Sequence, residues 1–287
     1  MLIIGLMGVL NPRAWGIQIT DDSGKQVSLP SPAKRIIALY GAYNEILAAV
    51  GLEDRIVGRT KADKLPPSIL SKPSIGTHLR PNIEIILGLG PDLVIQSMGR
   101  KEAMVVVQQI QQEGPPVAVF SPKNFTELFS VIERIGILTG ASVGAEELVG
   151  RLEARLNRVE VKLQGISRRP SVFFEVRYHN LLGAGQASIV NDVIRRAGGI
   201  NCVKKKKKLM RIDMEALIEC NPEAYIIQRG PMNKNPSDPS SRPHFQVLDA
   251  VKKGKVLFVD EQTYSRPGPR AVDEVEELAH FLHPDRF

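Results

Sequence analysis

Twelve arginine, tyrosine and histidine side chains of this sequence lie in segments that follow predicted strands. Arginine binds carboxylates and phosphates through paired hydrogen bonds. Tyrosine and histidine rings offer flat faces to aromatic groups. These residue types together suit a bulky ligand that is anionic or is a chelated metal. The candidate ligand-binding residues are Tyr40, Tyr43, His78, Arg80, Arg100, Arg177, Tyr178, His179, Arg229, Tyr264, Arg266 and Arg270.

Tyrosine and histidine are also metal ligands in their own right. No group of them here has the close spacing of a dedicated metal site, so we predict no metal site and no intrinsic cofactor. We expect the candidate side chains to contact the periphery of a ligand, and we assign no catalytic residue. Direct ligation of a chelated metal by a tyrosine or histidine is the alternative.

Strands and helices alternate along most of the chain, after a predicted hairpin at residues 17–29. The predicted strands are 35–39, 56–59, 92–96, 117–120, 171–176, 224–228 and 255–259. The predicted helices are 42–50, 82–89, 100–113, 124–139, 188–197, 213–220, 243–253 and 270–282. This alternation predicts an α/β fold with mainly parallel sheets. Ligands bind beyond the carboxyl ends of such strands, where the candidate residues lie.

The two halves of the chain repeat one plan in the same order. Asn44, in the first predicted helix of the first half, corresponds to Asn191 in the first predicted helix of the second half. In the same way, Glu84 corresponds to Glu215. Each of these glutamates precedes a Pro-Asp or Pro-Glu pair and an apolar strand. The repeat predicts two doubly wound α/β lobes with a ligand cleft between them. We place the N-terminal lobe at residues 17–141 and the C-terminal lobe at residues 168–287.

One long helix is predicted between the lobes, at residues 142–167. Its apolar residues recur every three or four positions from Ala145 to Leu163, as on one stripe of a helix. Ser142 can cap its start, and Gly165 indicates its end. The predicted length is about 35–40 Å. We interpret this helix as a strut that joins the lobes and limits their closure.

The composition describes an ordinary soluble globular protein, with 43% hydrophobic and 24% charged residues over 287 positions. The net charge of +7 favours an anionic ligand or surface. No arginine-rich stripe with interleaved aromatic residues is present, so we predict no nucleic-acid partner. We interpret the lysine run at residues 204–208 as a solvent-exposed loop. Cys202 and Cys220 match no zinc spacing, and they either pair or remain as buried thiols.

The N-terminal segment has features of a signal peptide. Residues 2–10 are apolar, and Ala14, Trp15 and Gly16 give the small-x-small pattern of a signal-peptidase site. We predict a signal peptide at residues 1–16 and a periplasmic or otherwise extracytoplasmic protein. No Lys or Arg precedes the apolar run, so the start lies upstream or the segment is a buried strand. Nine apolar residues are too few to span a bilayer.

An enzyme is the alternative function. The segment GAGQAS at residues 183–188 is close to the dinucleotide fingerprint, but Ser188 replaces the third glycine. The acidic residue expected about 20 positions later is missing. We therefore predict no enzyme, with a Rossmann-like nucleotide-dependent enzyme that uses the Gly183 to Ser188 loop as the alternative. An adhesin or scaffold is a third interpretation.

Three stretches carry a family resemblance: PNIEIILGLGPDLVIQ, RIDMEALIECNPEAYII and YSRPGPRAVDEVEELAHFLHP. With the two predicted lobes and the linking helix, they resemble the periplasmic substrate-binding proteins of ABC importers. The subgroup is the one that handles cobalamin, ferric siderophores and haem, and the resemblance covers about residues 17–284. It implies that the protein captures an iron chelate (ferric siderophore or haem) or cobalamin and delivers it to a membrane permease. No bond is broken in that process.

The resemblance also implies a protein partner. In this family one glutamate on each lobe docks onto arginines of the membrane permease. The matching motifs place these glutamates at Glu84 and Glu215. The expected partners are an ABC permease dimer and a small-molecule metal chelate, and we expect the protein itself to be a monomer.

Overall fold

The computed structural model describes residues 16–99 and 101–287. Arg100 and most of the predicted signal peptide, residues 1–15, lie outside the described residues. The strands are β1 (Ile17–Thr20), β2 (Gln26–Leu29), β3 (Ile36–Ala38), β4 (Ile56–Gly58), β5 (Gly76–Thr77), β6 (Arg80–Pro81), β7 (Leu93–Ser97), β8 (Val117–Phe120), β9 (Ser171–Arg177), β10 (Leu182–Ala184), β11 (Ile200–Asn201), β12 (Leu209–Arg211), β13 (Ala224–Arg229) and β14 (Val256–Asp260). The α-helices are α1 (Gly41–Ala49), α2 (Ile83–Gly88), α3 (Lys101–Gln112), α4 (Phe125–Thr139), α5 (Ser142–Lys162), α6 (Ile189–Arg196), α7 (Met214–Cys220), α8 (Asp249–Lys252), α9 (Glu261–Tyr264) and α10 (Ala271–Leu282).

The first lobe is built on a parallel sheet with the strand order β4-β3-β7-β8. All residues of β3 and β8 are buried, and so are the first four of β7. Burial on both faces explains why these strands are continuous apolar runs in the sequence. The predicted hairpin is confirmed as β1 and β2, which pair antiparallel.

The second lobe has a mixed sheet with the order β12-β10-β9-β13-β14, and β11 pairs with β9. The centre, β9, β13 and β14, is parallel, while β10 and β12 are antiparallel. The prediction of mainly parallel sheets therefore holds for the centre of both lobes. The predicted helix at 243–253 was wrong in its extent, because the backbone forms a short 3-10 turn at Phe245–Val247 and then the four-residue α8.

Helix α5 joins the two lobes, as predicted. It has 21 residues, which corresponds to about 32 Å. The buried residues on α5 are Ala145, Leu148, Val149, Leu152, Leu156 and Val159, which form the predicted stripe. Two details differ from prediction. Ser142 is the first helical residue and not the cap. The helix ends at Lys162, before Gly165, whose φ of +72° is unfavourable for other residues.

A buried ion pair anchors the segment that follows β13. The Glu175 carboxylate is completely buried in the centre of β9 and accepts hydrogen bonds from Arg242, Tyr225 (2.7 Å) and Asn233 (3.1 Å). The Arg242 guanidinium, 1% exposed, also stacks on the ring of Tyr178 at 3.7 Å. Every polar group of this cluster has a partner, which offsets the cost of burying two charges.

A disulfide links Cys202 to Cys220, which settles the alternative left open by the sequence. It ties the segment after β11 to the end of α7. In the part of the chain that the structure describes, no helix is both long and apolar enough to cross a bilayer.

Candidate functional site

A cavity of about 270 Å³ lies between the lobes, where β7 and β8 end. The first lobe contributes the segments that follow these two strands. The second lobe contributes the end of β10, the start of α6, and residues on either side of Arg266. The lining residues are Met98, Gly99, Ser121, Pro122, Lys123, Val176, Ala184, Ala187, Ser188, Ile189, Val190, Lys208, Leu209, Ser265 and Pro267.

A larger depression of about 510 Å³ lies between α5 and α10. It is an open groove lined mostly by charged side chains of these two helices, and no residue at the end of a parallel strand lines it. Because ligands of parallel α/β sheets bind beyond the strand ends, we take the smaller cavity as the candidate site. It lies at the strand ends where the sequence analysis expects a ligand, and the binding of a ligand there stays a prediction.

The candidate side chains that the structure describes do not themselves line this cavity. Three of them meet at the interface between the lobes. The ring of Tyr40 lies 6.1 Å from that of His78, edge to face, and the Arg266 guanidinium lies 5.4 Å from the Tyr40 ring centre. Arg266 stands between the lining residues Ser265 and Pro267, so this group borders the cavity.

The surroundings of Tyr40 define its protonation state. Burial raises the pKa of the Tyr40 hydroxyl to about 12, against the opposing effect of Arg266. The phenol is therefore protonated at neutral pH and can donate a hydrogen bond. A phenolate that ligates a metal would first have to lose this proton. Contact of Tyr40 with the periphery of a ligand stays a prediction.

The Arg266 guanidinium crosses from the second lobe to the first. It approaches the buried carboxylate of Asp63 above the backbone of Gly41. A Cβ at Gly41 would lie 2.6 Å from Arg266 Nη1 and 2.8 Å from Asp63 Oδ1. Only glycine therefore permits this approach. Asp63 also accepts hydrogen bonds from Thr60 N (2.8 Å) and Asn44 Nδ2 (3.1 Å), while burial raises its pKa.

Arg270 also forms a contact with the first lobe. It occupies the N-cap position of α10, and its side chain donates two hydrogen bonds to the carboxylate of Glu45 in α1, at 2.6 and 2.8 Å. A guanidinium that is already paired in this way has little capacity left for a ligand. Its place in the structure is that of a contact between lobes.

Tyr43 and Tyr264 require correction, because both are core residues. Tyr43 is fully buried and donates to the carbonyl of Phe120 at 2.9 Å, and Tyr264 is 1% exposed and donates to Glu277 at 2.6 Å. Burial raises the pKa of both hydroxyls. Their rings pack inside the lobes and are not available to a ligand.

The remaining candidates are at the outer edges of the strand ends. Arg80 is exposed on β6, and Arg177 is exposed and donates to Asn180 at 2.6 Å. The Arg229 guanidinium lies 3.9 Å from the ring centre of Phe258. Tyr178 carries the stacked Arg242, and the exposed His179 lies against Tyr178 with ring centres 4.9 Å apart. The structure does not bring this set together around the cavity.

Sequence reasoning missed Lys208 as a lining residue. The run at 204–208 is exposed, as predicted, but it is not a freely solvated loop. Gly185 N donates to Lys208 O at 3.0 Å, and Ala187 N donates to Lys207 O at 3.2 Å. A Cβ at Gly185 would lie 2.2 Å from Lys207 O. Gly185 therefore allows the lysine run to approach, and the sequence alone carries no signal that singles out Lys208.

Within residues 16–99 and 101–287, no three His, Cys, Asp or Glu side chains are grouped so that they could hold a metal ion.

Residues 36–263 match the model of the periplasmic binding protein family. The chain belongs to this family. Over 276 residues it is 29% identical to the uncharacterized ABC transporter substrate-binding lipoprotein YvrC of Bacillus subtilis, covering 94% of this chain and 87% of that protein. It is 24% identical over 260 residues to the vitamin B12-binding protein of Vibrio cholerae, with 88% and 90% coverage.

Solved structures of periplasmic binding proteins share this fold. A possible iron-binding (periplasmic solute-binding) protein of Staphylococcus epidermidis superposes with a TM-score of 0.77 and 25% identity, covering 88% of this chain and all of that one. The family resemblance and the two-lobed α/β architecture predicted from the sequence are thereby confirmed. The chain is a substrate-binding protein of the ABC-transporter class.

Family membership leaves the alternative of a nucleotide-dependent enzyme without support. The structure explains the GAGQAS segment in other terms. Ser188 caps α6 and accepts a hydrogen bond from Asn191 N, and Gly185 makes room for the lysine run. The segment therefore packs one part of the second lobe against another.

Proposed function

We propose that this periplasmic binding protein captures a metal chelate outside the cytoplasm and delivers it to the permease of an ABC importer. The chelate is an iron chelate (ferric siderophore or haem) or cobalamin. The observation that carries the proposal is the cavity between the lobes at the ends of β7 and β8. Both lobes contribute to its lining, so a molecule bound there contacts both.

Two features support capture without large movement. Helix α5 is a single rigid connection, and Arg270 and Arg266 each reach from the second lobe to the first. The Tyr40, His78 and Arg266 group at the border of the cavity offers aromatic faces and a cation. The ligands named for the relatives, vitamin B12 and iron, are of the same class.

We propose further that Glu84 and Glu215 dock onto the permease. Both are exposed residues in the first turn of a short helix, α2 or α7. Each helix has an N-cap side chain, Asn82 or Asp213, that accepts a hydrogen bond from the backbone. Each helix directly precedes a central strand, β7 or β13. The two glutamates therefore occupy corresponding places on the two lobes.

The test is a binding panel with purified protein. Haem, cobalamin, ferric citrate and a ferric trihydroxamate are titrated, and binding is followed by calorimetry and by the absorbance of the chelate. We expect one of them to bind with one molecule per chain and to raise the melting temperature. Failure of every chelate, or retention of a nucleotide with turnover, contradicts the proposal.

A matched pair of variants locates the binding site. Ser121 lines the cavity, whereas Ser71 is exposed elsewhere on the first lobe. Ser121→Trp fills the cavity and should abolish binding, and Ser71→Trp should leave it unchanged. Equal binding by both variants would place the ligand outside the cavity.

A further inference from the structure

Two lysines from opposite lobes line the cavity between the lobes. Lys123 follows β8 in the first lobe, and Lys208 ends the lysine run before β12 in the second. No Asp or Glu of the described chain is among the lining residues. The cavity wall is therefore positively charged on both sides.

Neither lysine forms a side-chain ion pair within the described residues, although the Glu127 carboxylate lies beside Lys123 and accepts a hydrogen bond from its backbone N at 2.8 Å. The nearby arginines differ, because Arg270 pairs with Glu45 and Arg266 approaches Asp63. The pKa of Lys208 is lowered, and the cause is the protein that surrounds its ammonium group. Lys208 is nevertheless an exposed residue that lines the cavity, so it is accessible to a ligand.

The backbone fixes Lys208 in this place. Its carbonyl accepts from Gly185 N at 3.0 Å, next to the start of α6. Three positions earlier in the run, Lys205 O accepts hydrogen bonds from Gln186 N at 3.0 Å and from Lys207 N at 2.8 Å. These hydrogen bonds hold the run against the wall of the cleft. A lysine held in position binds a ligand with less loss of conformational entropy than a lysine on a mobile loop.

We propose that Lys123 and Lys208 form a cation clamp that selects an anionic chelate, one whose outer oxygens are carboxylates or other ionised groups. The proposal rests on the proposed function and names the charge class of its ligand. Two ammonium groups on opposite lobes repel each other across the cleft. An anion between them removes this repulsion and binds both, so the same contact provides affinity and draws the lobes together.

The experiment compares one anionic and one neutral chelate of the same metal. Ferric citrate and a neutral ferric trihydroxamate are titrated by calorimetry into wild type, Lys123→Gln and Lys208→Gln. Lys204→Gln is the matched control, because Lys204 belongs to the same run and lies outside the lining of the cavity. Lys208→Arg tests whether charge alone restores binding.

We expect wild type to bind the anionic chelate more tightly than the neutral one. Each lining variant should bind it at least about tenfold more weakly, as for loss of one charge-assisted hydrogen bond. Lys204→Gln and Lys208→Arg should resemble wild type. The affinity should also fall when salt exceeds about 0.1 M, where the Debye length is about 10 Å.

Two results would overturn the inference and leave the proposed function intact. One is equal binding of the anionic chelate by Lys208→Gln and Lys204→Gln. The other is tight binding of the neutral chelate or of cobalamin in place of the anionic one. If wild type binds no chelate at all, the proposed function fails and this inference fails with it.

Discussion

Arg270 and Glu45 join the two lobes by a bidentate ion pair, with distances of 2.6 and 2.8 Å between residues 225 positions apart. The pair is only partly shielded from water, at 32% and 13% side-chain exposure. Its two parallel hydrogen bonds nevertheless fix the geometry of the contact. The first helix of the first lobe and the last helix of the second lobe thus meet at this contact.

Glu45→Gln should lower the free energy of unfolding by about 1–2 kcal/mol, because one charge of the pair is lost. The measurement is urea unfolding at neutral pH. Glu146→Gln, an exposed change of the same kind on α5, serves as the control and should have little effect. If both variants are equally stable, the pair contributes nothing to the contact between lobes.

Substitutions in the buried pair of Glu175 and Arg242 should lower the free energy of unfolding far more. Glu175→Gln leaves a guanidinium without its counter-charge in the interior, which costs about 3–5 kcal/mol. Arg242→Met leaves the Glu175 carboxylate without its counter-charge in the interior. The double variant should lose less stability than the sum of the single changes. Additive losses would show that the two groups act independently.

Glu274 should make stability depend on pH. Its carboxyl is 4% exposed, one of its oxygens has no hydrogen-bond partner, and burial raises its pKa from 4.5 to about 8. Between these values the folded protein holds a proton that the unfolded chain has released. Stability should therefore fall as pH rises from about 4.5 to 8, by at most about 1.4 kcal/mol per pH unit.

Glu274→Gln removes this titration. Its melting temperature should fall less steeply over the same pH range than that of wild type, and at pH 8 the variant should be the more stable protein. Glu133→Gln, an exposed change on α4, should keep the wild-type profile. Parallel profiles for wild type and Glu274→Gln would contradict the prediction.

Charge reversal at Glu84 or Glu215 should weaken binding to the permease and leave chelate binding unchanged. We expect Glu84→Lys and Glu215→Lys to bind the permease at least about tenfold more weakly, since like charges at an interface repel. Chelate affinity should be that of wild type. Glu219→Lys, exposed on the same helix as Glu215, is the control. Permease binding that is reduced equally in all three variants would indicate a general effect of charge.

The strut interpretation of α5 predicts an effect of backbone geometry on binding. Leu156 is 4% exposed in the middle of the helix. Leu156→Pro should kink or break the helix at a cost of about 3 kcal/mol or more and weaken chelate binding by misplacing the lobes. Leu156→Ala removes packing but keeps the helix, so it should retain affinity at temperatures where it is folded. A folded proline variant with unchanged affinity would refute the strut.

The central elements were predictable because their patterns are determined by burial. Strands β3, β7 and β8 are covered on both faces, so they appear as the apolar runs RIIAL, DLVIQ and VAVF. The buried stripe of α5 follows from its period of three and four residues. By contrast, β10, β11 and β12 have two or three residues each and carry no such pattern.

The candidate site was harder to predict, because a residue type does not reveal which way its side chain points. Tyr43 shares its face of α1 with the buried residues Ile46 and Leu47, and this helical spacing was the available sign that it belongs to the core. No comparable pattern marks Tyr264, whose partner Glu277 lies in a separate helix. The residue type alone therefore predicts, wrongly, that both tyrosines contact a ligand.

Lys208 illustrates the opposite error. A run of lysines is typical of a solvated loop, and the sequence contains nothing that separates Lys208 from Lys204. The difference arises from hydrogen bonds to Gly185 and its neighbours, about 20 positions earlier. Such pairing between distant backbone segments determines which member of a run faces a cavity, and it becomes visible only in the folded chain.

The disulfide between Cys202 and Cys220 encloses Lys208 and Glu215 in one covalent ring. The residue that we propose to contact the chelate is thus seven positions from the residue that we propose to contact the permease. A closed loop of this size has far fewer conformations than an open one. We therefore expect any displacement of Lys208 by a bound anion to be coupled to α7, because only seven positions separate the two proposed contact residues.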